Sequence, residues 1–141
     1  MTLNNDLRHG EGLCWMTVFL FCTFVGACTP PKDASTRISV SALSERLTEG
    51  ASTKPVFLLD VRSYDEFVGG HIPGAINIPH TELAARLSEI PPAVRVVVYC
   101  ERGGRARTAV DLLSRSGYGA ITQLQGDMAA WRMSGMPVAT P

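Results

Sequence analysis

The sequence feature that most constrains the fold is a run of four apolar residues, Val96-Val97-Val98-Tyr99. The run is mostly β-branched and apolar at successive positions, so both faces of a strand formed here need burial. A strand buried on both faces is typical of the centre of a parallel sheet, because such sheets carry helices on their faces. The run therefore predicts the middle of an α/β domain.

The rest of the chain alternates between strand-like and helix-like segments, several of which are bounded by proline or glycine. Further strands are predicted at Val56–Leu59, Ala75–Ile78 and Ile121–Leu124, and helices over 41–49, 82–90, from about Arg105 to Gly117, and over 128–133. Strands that alternate with helices predict an α/β fold, with a mostly parallel central sheet flanked by helices on both faces. In such sheets, ligands bind beyond the carboxyl ends of the strands.

The N-terminal part carries a targeting pattern. No charged residue occurs between Glu11 and Lys32, and the apolar run from Leu13 to Ala27 is shorter than the about 20 residues that span a bilayer. The small residues before Cys28 resemble the lipobox of bacterial lipoproteins, which implies a lipid on Cys28. We expect a signal peptide at 1–27, a linker at 28–36 and a domain at 37–139; an uncleaved anchor and ordinary cleavage remain alternatives.

Each of these alternatives places the domain in the cell envelope, outside the cytoplasm, and the lipobox reading makes it a membrane-anchored periplasmic lipoprotein. The formal net charge is zero, which argues against a nucleic-acid partner, since such proteins carry a basic surface.

The cysteines leave a single thiol for the folded domain. Cys14 and Cys22 lie within the apolar run, and Cys28 would carry the lipid, so Cys100 remains. One thiol can form neither an internal disulfide nor a cysteine metal site, and no metal is expected. A lone cysteine is usually a buried apolar residue, so its neighbours decide whether it is reactive.

Those neighbours indicate a reactive site. Cys100 follows the strand, Gly103 and Gly104 turn the chain, and a helix begins near Arg105. Free N–H groups and the positive end of the helix dipole form an anion-binding site. Together with Arg102 and Arg105 they should favour the thiolate of Cys100.

The six residues from Cys100 to Arg105 resemble the active-site loop of rhodanese-type sulfurtransferases, in which a basic residue lies five positions after the cysteine. Two more stretches are similar to the family's other signatures. The stretch before the loop comprises Leu59-Asp60-Val61-Arg62, Glu66-Phe67, Gly70 to Ala75 and Asn77-Ile78-Pro79. The stretch after the loop comprises Leu124, Gly126, Trp131, Gly135 and Pro137-Val138. Two residues depart from the pattern. Glu101 places a charge that should oppose an anionic donor, and Asp127, where a second glycine is usual, should stiffen or displace a turn.

The resemblance implies a rhodanese-like domain and a sulfurtransferase with Cys100 as nucleophile. A donor such as thiosulfate, a small sulfur-containing anion, would leave a persulfide on Cys100. The residues Glu101, Arg102, Gly103, Gly104 and Arg105 would bind the substrate, and a thiol, including a protein thiol, or cyanide would accept the sulfur. The resemblance implies no cofactor.

Two other functions are alternatives to sulfur transfer. A phosphatase or arsenate reductase of the same fold needs, as the resemblance implies, an arginine six positions after the cysteine, where this chain has Ala106. A non-catalytic persulfide carrier or redox-sensing module would keep Cys100 without turnover.

Four other residues have a structural interpretation. Asp60 and Arg62 are expected to form a charge pair, His71 to hold a turn and Trp131 to pack in the core. Arg107 is expected to be solvated on its helix.

Overall fold

The structure is a computed structural model that describes residues 36–49 and 55–141. The expected signal peptide, Cys28 and the linker up to residue 35 lie outside the described residues. The linker was expected to extend to residue 36, but Thr36 is the first residue of a strand. Within the described ranges, no helix combines the length and apolarity that a bilayer crossing requires.

In the described part of the chain, five parallel strands form one sheet in the order β1-β5-β4-β2-β3. They are β1 (Thr36–Ile38), β2 (Val56–Asp60), β3 (Ile76–Asn77), β4 (Arg95–Tyr99) and β5 (Ile121–Leu124). The apolar run is the central strand β4, with Val97 opposite Leu58 on one side and Thr122 on the other. The predicted parallel sheet is confirmed.

The α-helices that connect or follow these strands are α1 (Val40–Thr48), α2 (Tyr64–Val68), α3 (Gly104–Arg115) and α4 (Asp127–Met133). The Ser39 hydroxyl accepts the Ala42 N–H and caps α1. A capping box starts α2, because Ser63 accepts the Glu66 N–H while Glu66 accepts the Ser63 N–H. β1 and α2 were not predicted from the sequence.

The prediction of a helix over 82–90 is wrong. This segment consists of turns with i to i−3 hydrogen bonds, followed by a 3-10 helix at Leu87–Glu89. The apolar spacing of the segment fits a helix, but the Tyr118 hydroxyl contacts the carbonyl oxygens of Leu87 and Ile90 at 2.7 and 3.0 Å. A tertiary partner therefore satisfies carbonyls that would otherwise favour further helical turns.

Helices cover both faces of the sheet, as predicted. Successive β4 side chains point to opposite sides, so Val96 and Val98 pack against α3 while Val97 and Tyr99 enter a second core cluster. That second cluster includes Trp131 of α4, together with residues of α1. The core thus packs on both faces of β4 and fixes the position at which that strand ends.

Asp60 and Arg62 form a buried ion pair, as expected, with Oδ2 and Nη2 2.6 Å apart. Arg62 also donates to the Gly70 carbonyl at 2.9 Å. Burial alone would lower the pKa of the guanidinium, but its hydrogen bonds and charge interaction with Asp60 outweigh burial and raise that pKa.

His71 and Trp131 also have the structural surroundings that were expected. The His71 ring stacks on Phe67 with centroids 3.7 Å apart, and its Nδ1 lies 3.0 Å from the Phe67 carbonyl oxygen. Trp131 is buried, and its indole N–H donates to the Pro137 carbonyl at 2.7 Å.

Replacing Arg62 with leucine should destabilise the protein by about 3–5 kcal/mol, because the Asp60 carboxylate would be left buried without its partner. Arg86→Leu is the matched control, since Arg86 pairs with Glu82 and Glu89 at the surface, where solvent screening leaves such pairs little effect on stability. The free energy of unfolding from urea denaturation checks both variants. Equal losses would contradict the role assigned to the buried pair.

Candidate active site

Cys100 directly follows β4, at the carboxyl edge of the sheet. The residue is 2% exposed and belongs to the core cluster beneath α3. Its Sγ accepts a hydrogen bond from the Gly103 N–H at 3.0 Å. We call residues 100–105 the cysteine loop; the Cys100 thiol lies buried at the base of this loop.

Gly103 gives the cysteine loop its turn. Its φ of 95° lies in the left-handed region, which favours glycine. A Cβ at this position would lie 3.0 Å from Asp127 Oδ2 and 3.1 Å from Gln123 Nε2. Both the conformation and the crowding therefore require glycine, as the sequence indicated.

Free N–H groups line the cysteine loop. The N–H groups of Glu101, Arg102, Gly104 and Arg105 have no hydrogen-bond acceptor among residues 36–49 and 55–141. The helix α3 begins at Gly104, so its dipole adds a partial positive charge at the same place. This arrangement can bind an anion beside the Cys100 sulfur.

The Glu101 carboxylate is neutralised by two arginines. It accepts hydrogen bonds from Arg132 at 2.8 and 3.0 Å, and it lies 3.4 Å from Arg62. The sequence predicted that this charge would oppose an anionic donor, but the ion pairs offset it. Only the backbone N–H of Glu101 remains available for binding.

Arg105 is paired with Glu66 of α2. Its two terminal nitrogens lie 2.5 and 2.8 Å from the carboxylate oxygens, in a bidentate pair. Hydrogen bonding to Arg105 lowers the pKa of Glu66 to about 2, and the pair raises the pKa of Arg105, which the Cys100 thiolate raises further. The structure thus places Arg105 near the sulfur, but holds its guanidinium on Glu66.

This role of Glu66 was not predicted from the sequence. The pattern of Ser63 followed three residues later by Glu66 is a capping-box signal and could have predicted α2. No local pattern could have predicted the ion pair, because its partners are 39 positions apart.

Asp127 has an unusual position behind the cysteine loop. Among the residues that the structure describes, it is the one non-glycine residue with a positive φ, 57°, and it is 2% exposed. Its Oδ1 accepts the Cys100 N–H at 2.8 Å and its Oδ2 lies 3.3 Å from Gln123 Nε2. Burial raises the pKa of this carboxyl group. Asp127 therefore ties the start of α4 to the backbone of Cys100.

Two remaining candidates lie at the surface. Arg102 and Arg107 are exposed and line one side of a cleft beside the cysteine loop. Ala106, at the position where a phosphatase-type loop would carry arginine, is buried and offers no polar group. In the two described ranges, no group of three or more His, Cys, Asp or Glu side chains is arranged to hold a metal.

Cys100, a loop of free N–H groups and a helix start at the edge of a parallel sheet define a thiol site in an α/β domain, with a geometry suited to an anion. The sequence profile of the rhodanese-like domain matches residues 39–134. The chain belongs to this family.

Similar proteins carry names that denote different functions. A sulfurtransferase of Allochromatium vinosum is 38% identical over 104 residues, which cover 74% of this chain and 94% of that protein. A helix-turn-helix-type transcriptional regulator of Mycobacterium tuberculosis is 41% identical over 110 residues, 77% of this chain but 45% of the regulator. The chain therefore spans less than half of the regulator.

The fold agrees with solved structures. A rhodanese-related protein of Thermoplasma volcanium superposes with a TM-score of 0.67 at 29% identity, over 75% of this chain and 99% of that one. The family and its sulfurtransferase member support a sulfurtransferase kind of activity.

The Glu66–Arg105 pair should make stability depend on pH. The folded-state pKa of Glu66, about 2, lies below its ordinary value of 4.5, so its contribution is fully present above that ordinary value. The contribution is lost as the pH falls from about 4.5 through about 2. Because both side chains are about one-third exposed, we expect about 1 kcal/mol or less.

Urea unfolding at about pH 6 and about pH 3 checks this expectation. Wild type should lose more stability on acidification than Glu66→Gln, whose amide can keep the capping box. Asp65→Asn is the control, because it removes a neighbouring exposed carboxylate from the same helix. An equal acid loss in wild type and Glu66→Gln would contradict the pairing.

Proposed function

We propose that the protein is a rhodanese-type sulfurtransferase that moves sulfane sulfur through a persulfide on Cys100. The observation that carries the proposal is the position of Cys100 Sγ, which is hydrogen-bonded to the Gly103 N–H inside a loop of free N–H groups. The similarity to a sulfurtransferase over 94% of that relative's length supports the same conclusion.

In the first half-reaction, the Cys100 thiolate attacks the outer sulfur of a donor such as thiosulfate. A new S–S bond forms at Cys100, the S–S bond of the donor breaks, and sulfite leaves with the electron pair. The outer sulfur of the persulfide then carries the negative charge. The N–H groups of Glu101, Arg102, Gly104 and Arg105 are placed to stabilise that charge.

In the second half-reaction, an acceptor thiolate or cyanide attacks the outer sulfur. A bond forms between the acceptor and that sulfur, the persulfide S–S bond breaks, and the electron pair returns to Cys100 as thiolate. The products are an acceptor persulfide or thiocyanate. Arg105 assists donor binding when its contact with Glu66 opens, because its guanidinium would then be free to pair with the anion.

A second candidate is a persulfide carrier or redox-sensing module without turnover. Cys100 is 2% exposed, which restricts access to its sulfur. One similar protein is named as a transcriptional regulator, not as an enzyme. Sulfur transfer to a free thiol at a catalytic rate separates the two functions, because a carrier would release its sulfur only to a dedicated partner.

Incubating the full-length protein with thiosulfate should add one sulfur atom to its intact mass, and cyanide should remove it. Cys100→Ser should prevent the addition and reduce turnover at least about 10³-fold, because serine forms no persulfide. Cys14→Ser is the control, since Cys14 lies in the apolar run from Leu13 to Ala27 and not in the domain that carries Cys100. Sulfur addition to the Cys100→Ser variant would refute the role of Cys100.

We also propose that the chain is anchored to a membrane outside the cytoplasm through a lipid on Cys28. The support is the run of uncharged residues between Glu11 and Lys32 and the small residues Gly26 and Ala27 before the cysteine. A lipid anchor would place the thiol site close to a membrane surface.

Cys28→Ala should move the protein from the membrane fraction to the soluble periplasmic fraction of cells that express the full chain, because the lipid attachment point is lost. Cys22→Ala, which changes a cysteine inside the apolar run, should leave the protein in the membrane fraction. Membrane retention of Cys28→Ala would contradict lipidation at this residue.

A further inference from the structure

A cleft of about 370 Å³ lies beside the cysteine loop, between the first turn of α3 and the ends of β1 and β5. Three arginines line it: Arg37 on β1, Arg102 in the cysteine loop and Arg107 on α3. The sheet register places Arg37 opposite Gln123, and Gln123 opposite Val98, which packs beneath α3. These side chains therefore share the face of the sheet that α3 covers. We call this space the arginine cleft.

Within residues 36–49 and 55–141, the three arginines form no ion pair with a carboxylate. Arg62, Arg86, Arg105 and Arg132 each lie within 3.4 Å of a carboxylate oxygen. None of the arginines of the arginine cleft makes such a pair with another described residue. Other unpaired arginines occur in the described part, but they do not line this cleft. Positive charge is therefore concentrated at one concave place.

One carboxylate, that of Asp127, also lines the arginine cleft. Its oxygens already contact the Cys100 N–H and the Gln123 amide, and the residue is buried. Three arginines therefore line the cleft against one carboxylate, which is hydrogen-bonded to other partners and interacts electrostatically with Arg37. The balance favours a bound anion.

The arginine cleft lies next to the reacting sulfur but does not include it. Gly103 lines the cleft, and its N–H lies 3.0 Å from Cys100 Sγ. Cys100, Glu101 and Arg105 are not among the lining residues. An anion bound there would belong to a molecule whose reacting atom lies some distance from its charge.

We propose that the arginine cleft binds a carboxylate of the thiol that accepts sulfur from Cys100, an inference that rests on the proposed sulfurtransferase function. Thiosulfate cannot fill this role, because its charged group is bonded directly to the sulfur that is transferred. A thiol whose carboxylate lies several bonds from its sulfur can bind the arginines and still reach the outer sulfur of the persulfide.

Glutathione and its monoethyl ester test the proposal in the full-length protein, because the ester masks the glycine carboxylate far from the thiol. With the Cys100 persulfide as donor, kcat/KM should be about 5-fold higher for glutathione than for the ester, as expected for partly exposed charge pairs. Arg37→Gln and Arg107→Gln should each reduce this preference. Arg115→Gln is the matched control on α3 and should keep it.

Binding is measured separately, with S-methylglutathione and its ester, which cannot accept sulfur. Calorimetry should show tighter binding of the acid than of the ester in wild type, and a smaller difference in Arg37→Gln and Arg107→Gln. This measurement needs no persulfide. It therefore tests the arginine cleft even if thiosulfate fails to load Cys100, which would refute only the proposed function.

Equal binding of acid and ester in wild type would overturn the proposal, and so would a preference that survives both arginine substitutions. Sodium sulfate provides the remaining comparison. If sulfate binds as tightly as S-methylglutathione, the arginine cleft takes any oxyanion and does not recognise an acceptor thiol.

Discussion

A buried guanidinium joins the segments that meet at the carboxyl edge of the sheet. Arg62 bonds to Asp60 at the end of β2, to the Gly70 carbonyl before β3 and, at 3.4 Å, to Glu101 in the cysteine loop. It also lies 5.8 Å from the centre of the Tyr99 ring, at the end of β4. A buried charge is costly unless it is fully paired, so these contacts depend on one another. The loop geometry follows from this arrangement.

The other side of the cysteine loop is fixed by a residue that departs from the family pattern. Asp127 adopts a positive φ that favours glycine, and its carboxylate accepts the Cys100 N–H. The same carboxylate lies against Gly103, where a side chain would collide with it. The strained backbone and the buried charge both cost stability, and the hydrogen bond to Cys100 offsets part of that cost. Asp127 therefore positions the loop from behind, a more specific role than the stiffening expected from the sequence.

Local signals predicted the parts of the fold that depend on neighbouring residues. The strand before Cys100 and the glycine turn after it were predicted because runs of β-branched residues favour strands and left-handed turns favour glycine. The pairing of Glu66 with Arg105 could not be predicted, since it depends on how α2 and the cysteine loop meet in space. The same reason explains the wrong helix over 82–90, where the distant Tyr118 binds the carbonyl of Leu87. At both places, tertiary contacts and not local sequence preference determine the observed structure.

The distribution of charge around the sulfur explains how a buried thiol can still react in the proposed mechanism. Cys100 itself is 2% exposed, but a persulfide extends about 2 Å beyond Sγ, the length of an S–S bond. Its outer sulfur would enter the loop of free N–H groups. Glu101 and Arg105 are already paired there, so Arg105 attracts a small donor strongly only when its contact with Glu66 opens. Arg37, Arg102 and Arg107 lie to one side, in the arginine cleft, where in the proposed mechanism a larger anion binds without displacing the transferred sulfur. Sulfur transfer from the donor to Cys100 and from Cys100 to the acceptor thiol would then depend on different charged groups. Each step would be selective for its own small-molecule partner.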